Sequence, residues 1–390
     1  MRYLVLCLFM AYGLHADKIV FRDLSLKEGL EVAKEEGKPV FIDCYTTWCG
    51  PCKWMSANIF TDPTVAEYYN ENYVCLKIDM EKGEGIDIAK KYSIRAYPTL
   101  LYLDDQGERL LVTVGANRDP KSYIEAGDQA KDPKRNLPYL LENVEANFKN
   151  AEFMFNYFKT ASAANMVAPG MVDKYFEQFE VEEWLKAKNW EIIQYTANDV
   201  NLKTFKTLLR NADLVVEKKG KEAQEFMEHT VFYALANGLY RARSEEAKAT
   251  YKAQKDELLS IEFPGSKKVA FQINLMEQKQ NEDYKAYGTV ALKGTKEHCW
   301  DDARQLNDIA WTVYEKVEDP EVLKEAVAWA KRAVELDPSH YIYDTYAHLL
   351  AVNGEKKHAL KIEEKALELA KKDGAKTEDY EAYIKELKAS

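Results

Sequence analysis

Cys49 and Cys52, two residues apart within Trp48-Cys49-Gly50-Pro51-Cys52-Lys53, are the residues best placed to do chemistry. Thiols at this spacing close a small reversible disulfide. Their reaction is thiol–disulfide exchange, in which a thiolate attacks a disulfide sulfur and a second thiol resolves the mixed species. The competing use of such a pair is half of a zinc site, which needs two more thiol or imidazole ligands at suitable spacing. Cys44 and Cys75 stand alone in strand-like runs and Cys299 is remote. His298, His340, His348 and His358 show no spacing that suggests a site. The expectation is therefore no metal, and no cofactor beyond the redox-active disulfide itself.

Exchange needs an element that stabilises a thiolate. The apolar run 39–45 before the motif reads as a buried strand, and the segment after it has helical periodicity. Cys49 then falls at a helix start, where unpaired backbone N–H groups and the positive end of the macrodipole favour the anion. Pro51 suits the first turn, where its missing donor costs nothing. On this reading Cys49 attacks and Cys52 resolves.

The surrounding pattern alternates strand and helix from Lys18 to about Gly127. Ile19-Val20-Phe21 is a short strand candidate. A helix over 26–36 is stopped by Gly37-Lys38-Pro39, and the helix after the motif is interrupted at Thr61-Asp62-Pro63. Further strands fall at 73–79, 98–103 and 109–114, the last two joined by the polar turn Asp104-Asp105-Gln106-Gly107 as a hairpin. A short helix lies over 86–92, and a last one starts near Asp119-Pro120.

This order, with the Trp48–Lys53 motif, resembles the thioredoxin fold, an α/β fold with a central mixed sheet flanked by helices. Asp43, six residues before Cys49, matches the buried acid of thioredoxins. Ile94-Arg95-Ala96-Tyr97-Pro98-Thr99 matches the loop that carries their cis-proline. Gly37-Lys38-Pro39-Val40 and the segments 60–65 and 103–107 are similar to the C-terminal periplasmic domain of bacterial thiol:disulfide interchange reductases and to related secreted thioredoxin-like proteins.

The resemblance implies catalytic roles for Cys49, Cys52 and Asp43. It implies substrate-facing roles for Trp48, Gly50, Pro51, Tyr97 and Pro98, with Tyr97 either edging the groove or packed as a surface aromatic, and a cis Tyr97–Pro98 bond. Gly50-Pro51 between the cysteines implies a potential nearer about −270 mV than −120 mV. In thioredoxins a lysine on the neighbouring strand faces the buried acid. Aligning on Ile78-Asp79 sets Cys75 at that position, so the charge partner of Asp43 is either absent or replaced by Lys77. By strand alternation Cys44 faces the opposite side of the sheet from Asp43 and Cys75, which argues against a second disulfide and for buried free thiols. Cys299, beside Trp300, reads as core.

The formal net charge of −11 argues against a nucleic-acid binder and against attraction to anionic membrane surfaces. Residues 1–16 read as a secretory signal: Arg2, an apolar run over 3–12, and Leu14-His15-Ala16 before cleavage. Cleavage would remove Cys7 and leave a periplasmic or secreted protein with no stable membrane insertion, in a compartment where disulfide exchange has substrates. A thioredoxin-fold domain is thus expected over 17–128 and a polar linker over 129–138. An all-helical region follows over 139–300, and a tetratricopeptide-like pair over 301–390. Within that pair Ala326 and Ala333 recur as Ala359 and Ala366, displaced by thirty-three residues. The aromatic stripes at Phe153, Phe155, Tyr157 and Phe158, at Trp184 and Trp190, and at Trp311 read as packing.

The whole describes an exported protein thiol-disulfide oxidoreductase that reduces or isomerises disulfide-containing protein clients and is recharged by a redox partner of its own. The alternative is a repeat-based interaction scaffold that carries a redox-sensitive docking domain.

Overall fold

The computed structural model describes residues 17–389, so the signal segment expected over 1–16 lies outside it. Helix α1 (Leu26–Glu36) starts where Ser25 and Glu28 close a capping box, and it ends at Gly37, whose φ of 64° glycine adopts without strain. Strand β1 (Val40–Tyr45) leads into α2 (Gly50–Asn58). Asp62 caps α3 (Pro63–Asn72), which begins on proline. Then come β2 (Val74–Asp79), α4 (Gly85–Lys91), β3 (Thr99–Leu103), β4 (Arg109–Val114) and α5 (Pro120–Lys131).

The sheet order is β2-β1-β3-β4, with β1 and β2 parallel and the other pairs antiparallel. This is the mixed, helix-flanked sheet that the motif order implied. The strand expected at Ile19–Phe21 is not formed. Two isolated backbone bonds, Ile19 N–H to the Phe60 carbonyl and Arg22 N–H to that of Cys75 (both 2.8 Å), hold the segment instead of a ladder.

An aromatic core fills one side of the sheet, where Phe41, Tyr69, Tyr73 and Tyr102 gather with Met55 and Cys75. Tyrosines can sit this deep because their hydroxyls are satisfied. Tyr69 donates to the Tyr123 carbonyl (2.7 Å), so Tyr102 donates to Tyr69 (2.7 Å).

The linker expected over 129–138 is a short turn. Helix α5 runs to Lys131, and Asn136 already caps α6 (Leu137–Asn143), which is followed by α7 (Ala151–Ala163). Both helices pack on β4, a strand at the sheet edge. The Arg109 guanidinium donates to the Ala164 carbonyl (2.8 Å), the Gln129 amide to Thr160 Oγ1 (3.0 Å) and the Asn165 amide to the Ser93 carbonyl (3.2 Å). The first compact unit therefore continues through α8 (Met171–Phe176), α9 (Val181–Trp184) and α10 (Ala187–Thr196) to Asn198.

The second unit, from Asp199, is helical throughout its described residues: α11 (Lys203–Arg210), α12 (Ala212–Lys219), α13 (Lys221–Arg241), α14 (Glu245–Leu259), α15 (Ser266–Gln280), α16 (Tyr284–His298), α17 (Ala303–Lys316), α18 (Pro320–Leu336), α19 (His340–Val352), α20 (Lys356–Lys372) and α21 (Glu378–Ala389). Ala326, Ala330 and Ala333 on α18 and Ala359 and Ala366 on α20 are fully buried, so small side chains line the contacts of the last helices. Phe158, Trp184 and Trp190 are buried as packing residues. Among the described residues, no helix is long and apolar enough to cross a membrane.

Candidate active site

Strand β1 delivers the chain to the N-terminus of α2, and Cys49 is the N-cap of that helix. The Cys52 backbone N–H donates to Cys49 Sγ at 3.1 Å, as an orphan donor of the first helical turn does with a capping group. Pro51 occupies that first turn. Cys49 and Cys52 are joined as a disulfide, with their Cα atoms 5.3 Å apart, so this is the oxidised form. Both cysteines are buried, whereas Trp48 beside them is 65% exposed. On reduction, the same N–H and the helix terminus favour negative charge on Cys49.

Trp48 and Tyr97 make one edge of the site. Their rings meet edge to face with centroids 6.0 Å apart, and Trp48 Nε1 donates to Glu81 at 2.9 Å. The Tyr97–Pro98 peptide bond is cis. Within this loop the Thr99 hydroxyl donates to the Ala96 carbonyl (2.8 Å) and the Gly115 N–H to that of Pro98 (2.8 Å). The Tyr97 backbone N–H and carbonyl have no hydrogen-bond partner among the described residues. Those two groups, beside an exposed indole, suit an extended peptide laid against the loop.

Beneath the motif lies Asp43, fully buried in β1. Parallel pairing puts Lys77 of β2 directly opposite it, and Lys77 Nζ stands 3.0 Å from Asp43 Oδ2. The lysine expected of this fold is thus present as Lys77. The alignment that put Cys75 there was two residues out: Cys75 pairs with Phe41 and lies in the aromatic core. Lys77 also donates to Ser56 Oγ of α2. The ammonium approaches Asp43 off the line of a hydrogen bond, and neither carboxylate oxygen receives a well-formed one. Desolvation consequently raises the Asp43 pKa, and the Lys77 charge only partly offsets it. Lys77, Ser56 and Cys52 all line one surface cleft of about 350 Å³, so the lysine that pairs with the buried acid reaches the surface on the same cleft as the second cysteine.

The remaining described thiols are built for packing. Cys44, Cys75 and Cys299 are free and buried. Burial raises the Cys44 thiol well above its ordinary value and pushes those of Cys75 and Cys299 up to about 12, which keeps them protonated and inert.

Residues 22–105 match the Thioredoxin-like family. A thioredoxin of Alternaria alternata is 37% identical over 26% of this chain and 77% of its own length. The chain belongs to the thioredoxin family. An H-type thioredoxin of Oryza sativa subsp. indica is 39% identical over 22% of this chain and 66% of its own. The solution structure of a putative disulphide-isomerase from Bacteroides thetaiotaomicron shares 47% identity over 30% of this chain and 98% of that one, with a TM-score of 0.28. The thioredoxin domain makes the protein a thiol–disulfide oxidoreductase, a chemistry that needs no cofactor because the sulfur pair itself carries the two electrons.

Proposed function

We propose that the protein reduces or isomerises disulfides of protein clients outside the cytoplasm, with Cys49 as nucleophile and Cys52 as resolving thiol. The Cys49 thiolate attacks one sulfur of a client disulfide. That S–S bond breaks, the second client sulfur leaves as a thiolate and takes a proton, and a mixed disulfide remains. Cys52 loses its proton toward Asp43 and the Lys77 cleft, attacks Cys49 Sγ and expels the client thiolate. The client gains two electrons, and the Cys49–Cys52 pair gives them up. A redox partner then returns two electrons to the pair.

The observation that carries this reading is the capping geometry of Cys49 beside an aromatic edge formed by Trp48 and Tyr97. Secretion rests on the charged, apolar and small-residue pattern of residues 1–16. Client or partner binding by the helical region rests on its tetratricopeptide-like alanine spacing and on a groove of about 1030 Å³ in the second unit, with Phe232, Tyr233, Met276 and Trp300 among its walls.

Turbidimetric insulin reduction tests the enzymatic core. The wild type is expected to turn over with dithiothreitol at a rate that Cys49→Ser abolishes. Equal rates for the two proteins would overturn the oxidoreductase reading in favour of a scaffold with a redox-sensitive docking domain. A mature N-terminus at Asp17, read by mass spectrometry, tests export.

A further inference from the structure

The second unit holds a group of side chains that disulfide exchange does not use. Asp344 and His348 are four residues apart on α19, hence on one face of it, and Glu363 comes from α20, which packs against α19. One ligand atom from each residue, a carboxylate oxygen or an imidazole nitrogen, lies within 4.8 Å of the other two. Glu363 is fully buried, and neither of its carboxylate oxygens has a hydrogen-bond partner among the described residues. A carboxyl group stripped of water and faced by a second carboxyl group, Asp344, is costly unless a cation or a proton sits between them.

The walls supply no such cation. His348 stacks face to face on Tyr383 of α21 (3.7 Å between centroids), while Trp311 and Tyr314 of α17 meet its ring edge to face. His348 Nδ1 lies 3.0 Å from the Asp344 backbone carbonyl and 3.4 Å from Asp344 Oδ1. The other titratable groups around the two acids are His340, already bonded to Tyr380, the acidic Asp379, and the phenols of Tyr314, Tyr380 and Tyr383. Among the described residues, no lysine or arginine pairs with Asp344 or Glu363. Burial and the neighbouring Asp344 charge accordingly push Glu363 up to about 8.

We propose that Asp344, His348 and Glu363 bind a divalent transition-metal cation between α19 and α20, with water completing its coordination. One imidazole and two carboxylates form a mixed N/O donor set that suits zinc, manganese or iron rather than the all-oxygen sites of calcium. Metal–ligand distances of about 2.0–2.2 Å place donors about 3–3.5 Å apart, so the trio closes on an ion by side-chain adjustment alone. Tyr383, Trp311 and Tyr314 confine the His348 ring beside the two carboxyl groups.

The test is calorimetric titration of Zn²⁺ into the full-length, metal-stripped chain. The Cys49–Cys52 disulfide is kept intact so that thiols do not compete. The expected result is saturation at one Zn²⁺ per chain. Glu363→Gln and His348→Ala should each weaken binding by at least roughly tenfold. Asp344→Asn, at a partly exposed position, carries the same comparison if Glu363→Gln does not fold. Absence of saturable binding in the wild type, or undiminished affinity in the folded variants, would overturn the site and leave Asp344 and Glu363 as a pair that shares a proton.

Discussion

Lys77 Nζ lies 3.0 Å from Oδ2 of Asp43, across the parallel pair β1/β2, and it is the charge that accompanies the fully buried acid beneath the active-site disulfide. The lysine is itself partly exposed and bonded to Ser56, so it joins the acid to the cleft that Cys52 lines. Lys77→Met should raise the pH at which Cys52 resolves mixed disulfides, because Asp43 loses its only counter-charge among the described residues. Cys75→Ala should leave that pH profile in place. Stopped-flow resolution of a trapped mixed disulfide between pH 5 and 9 distinguishes the two.

Asp43 itself costs stability. Its folded-state pKa lies above the ordinary carboxyl value. Such a group stabilises the fold fully below the unfolded pKa, near 4, and that contribution is lost as pH rises through the folded value. Asp43→Asn should therefore gain stability relative to the wild type as pH rises from 4 to 8 in denaturant unfolding, while resolution by Cys52 slows.

The Trp48–Tyr97 edge predicts a split in kinetics. Trp48→Ala and Tyr97→Ala should raise the KM for insulin and leave reduction of a small aromatic disulfide nearly unchanged. Both side chains reach solvent, so global stability should stay within about 0.5 kcal/mol of the wild type. An equal loss on both substrates would argue that they shape the cysteines rather than the client groove.

Tyr69 ties α3 to β3 and α5 through one hydroxyl. Tyr69→Phe leaves the Tyr102 hydroxyl and the Tyr123 carbonyl without that partner inside the core. A loss of about 1–3 kcal/mol in unfolding free energy is expected, with the turnover rate unchanged below the transition.

In the metal-free protein, Glu363 carries a pH signature of its own. With a pKa raised to about 8, its stabilising protonated form is complete below the ordinary value near 4.5 and lost as pH rises through 8. Thermal unfolding monitored on the second unit should fall in midpoint between about pH 4.5 and 8 and level off above that, and Glu363→Gln should flatten that slope.

The sequence made the disulfide legible because the Cys-x-x-Cys spacing, Pro51 and the strand before it each carry a local signal. The Tyr97–Pro98 loop and the four strands were readable for the same reason. The partner of Asp43 was not. Cys75 and Lys77 are two apart in β2 and so face the same side of the sheet, and side-chain alternation does not tell a two-residue shift from the true register. The packing of α6 and α7 on β4 was hidden too, since it rests on contacts such as Arg109 with Ala164, far apart in sequence. The histidines show no spacing that marks a site, because Asp344 and His348 gain a third group only where the fold of α20 brings Glu363 to them.

The Asn165 side chain at the end of α7 is bonded to the Ser93 carbonyl, in the loop that leads to Tyr97 and Pro98. This bond links the approach to the cis-proline with the turn after α7, seventy-two residues away, so the first helices beyond the sheet brace the loop that stands beside the disulfide.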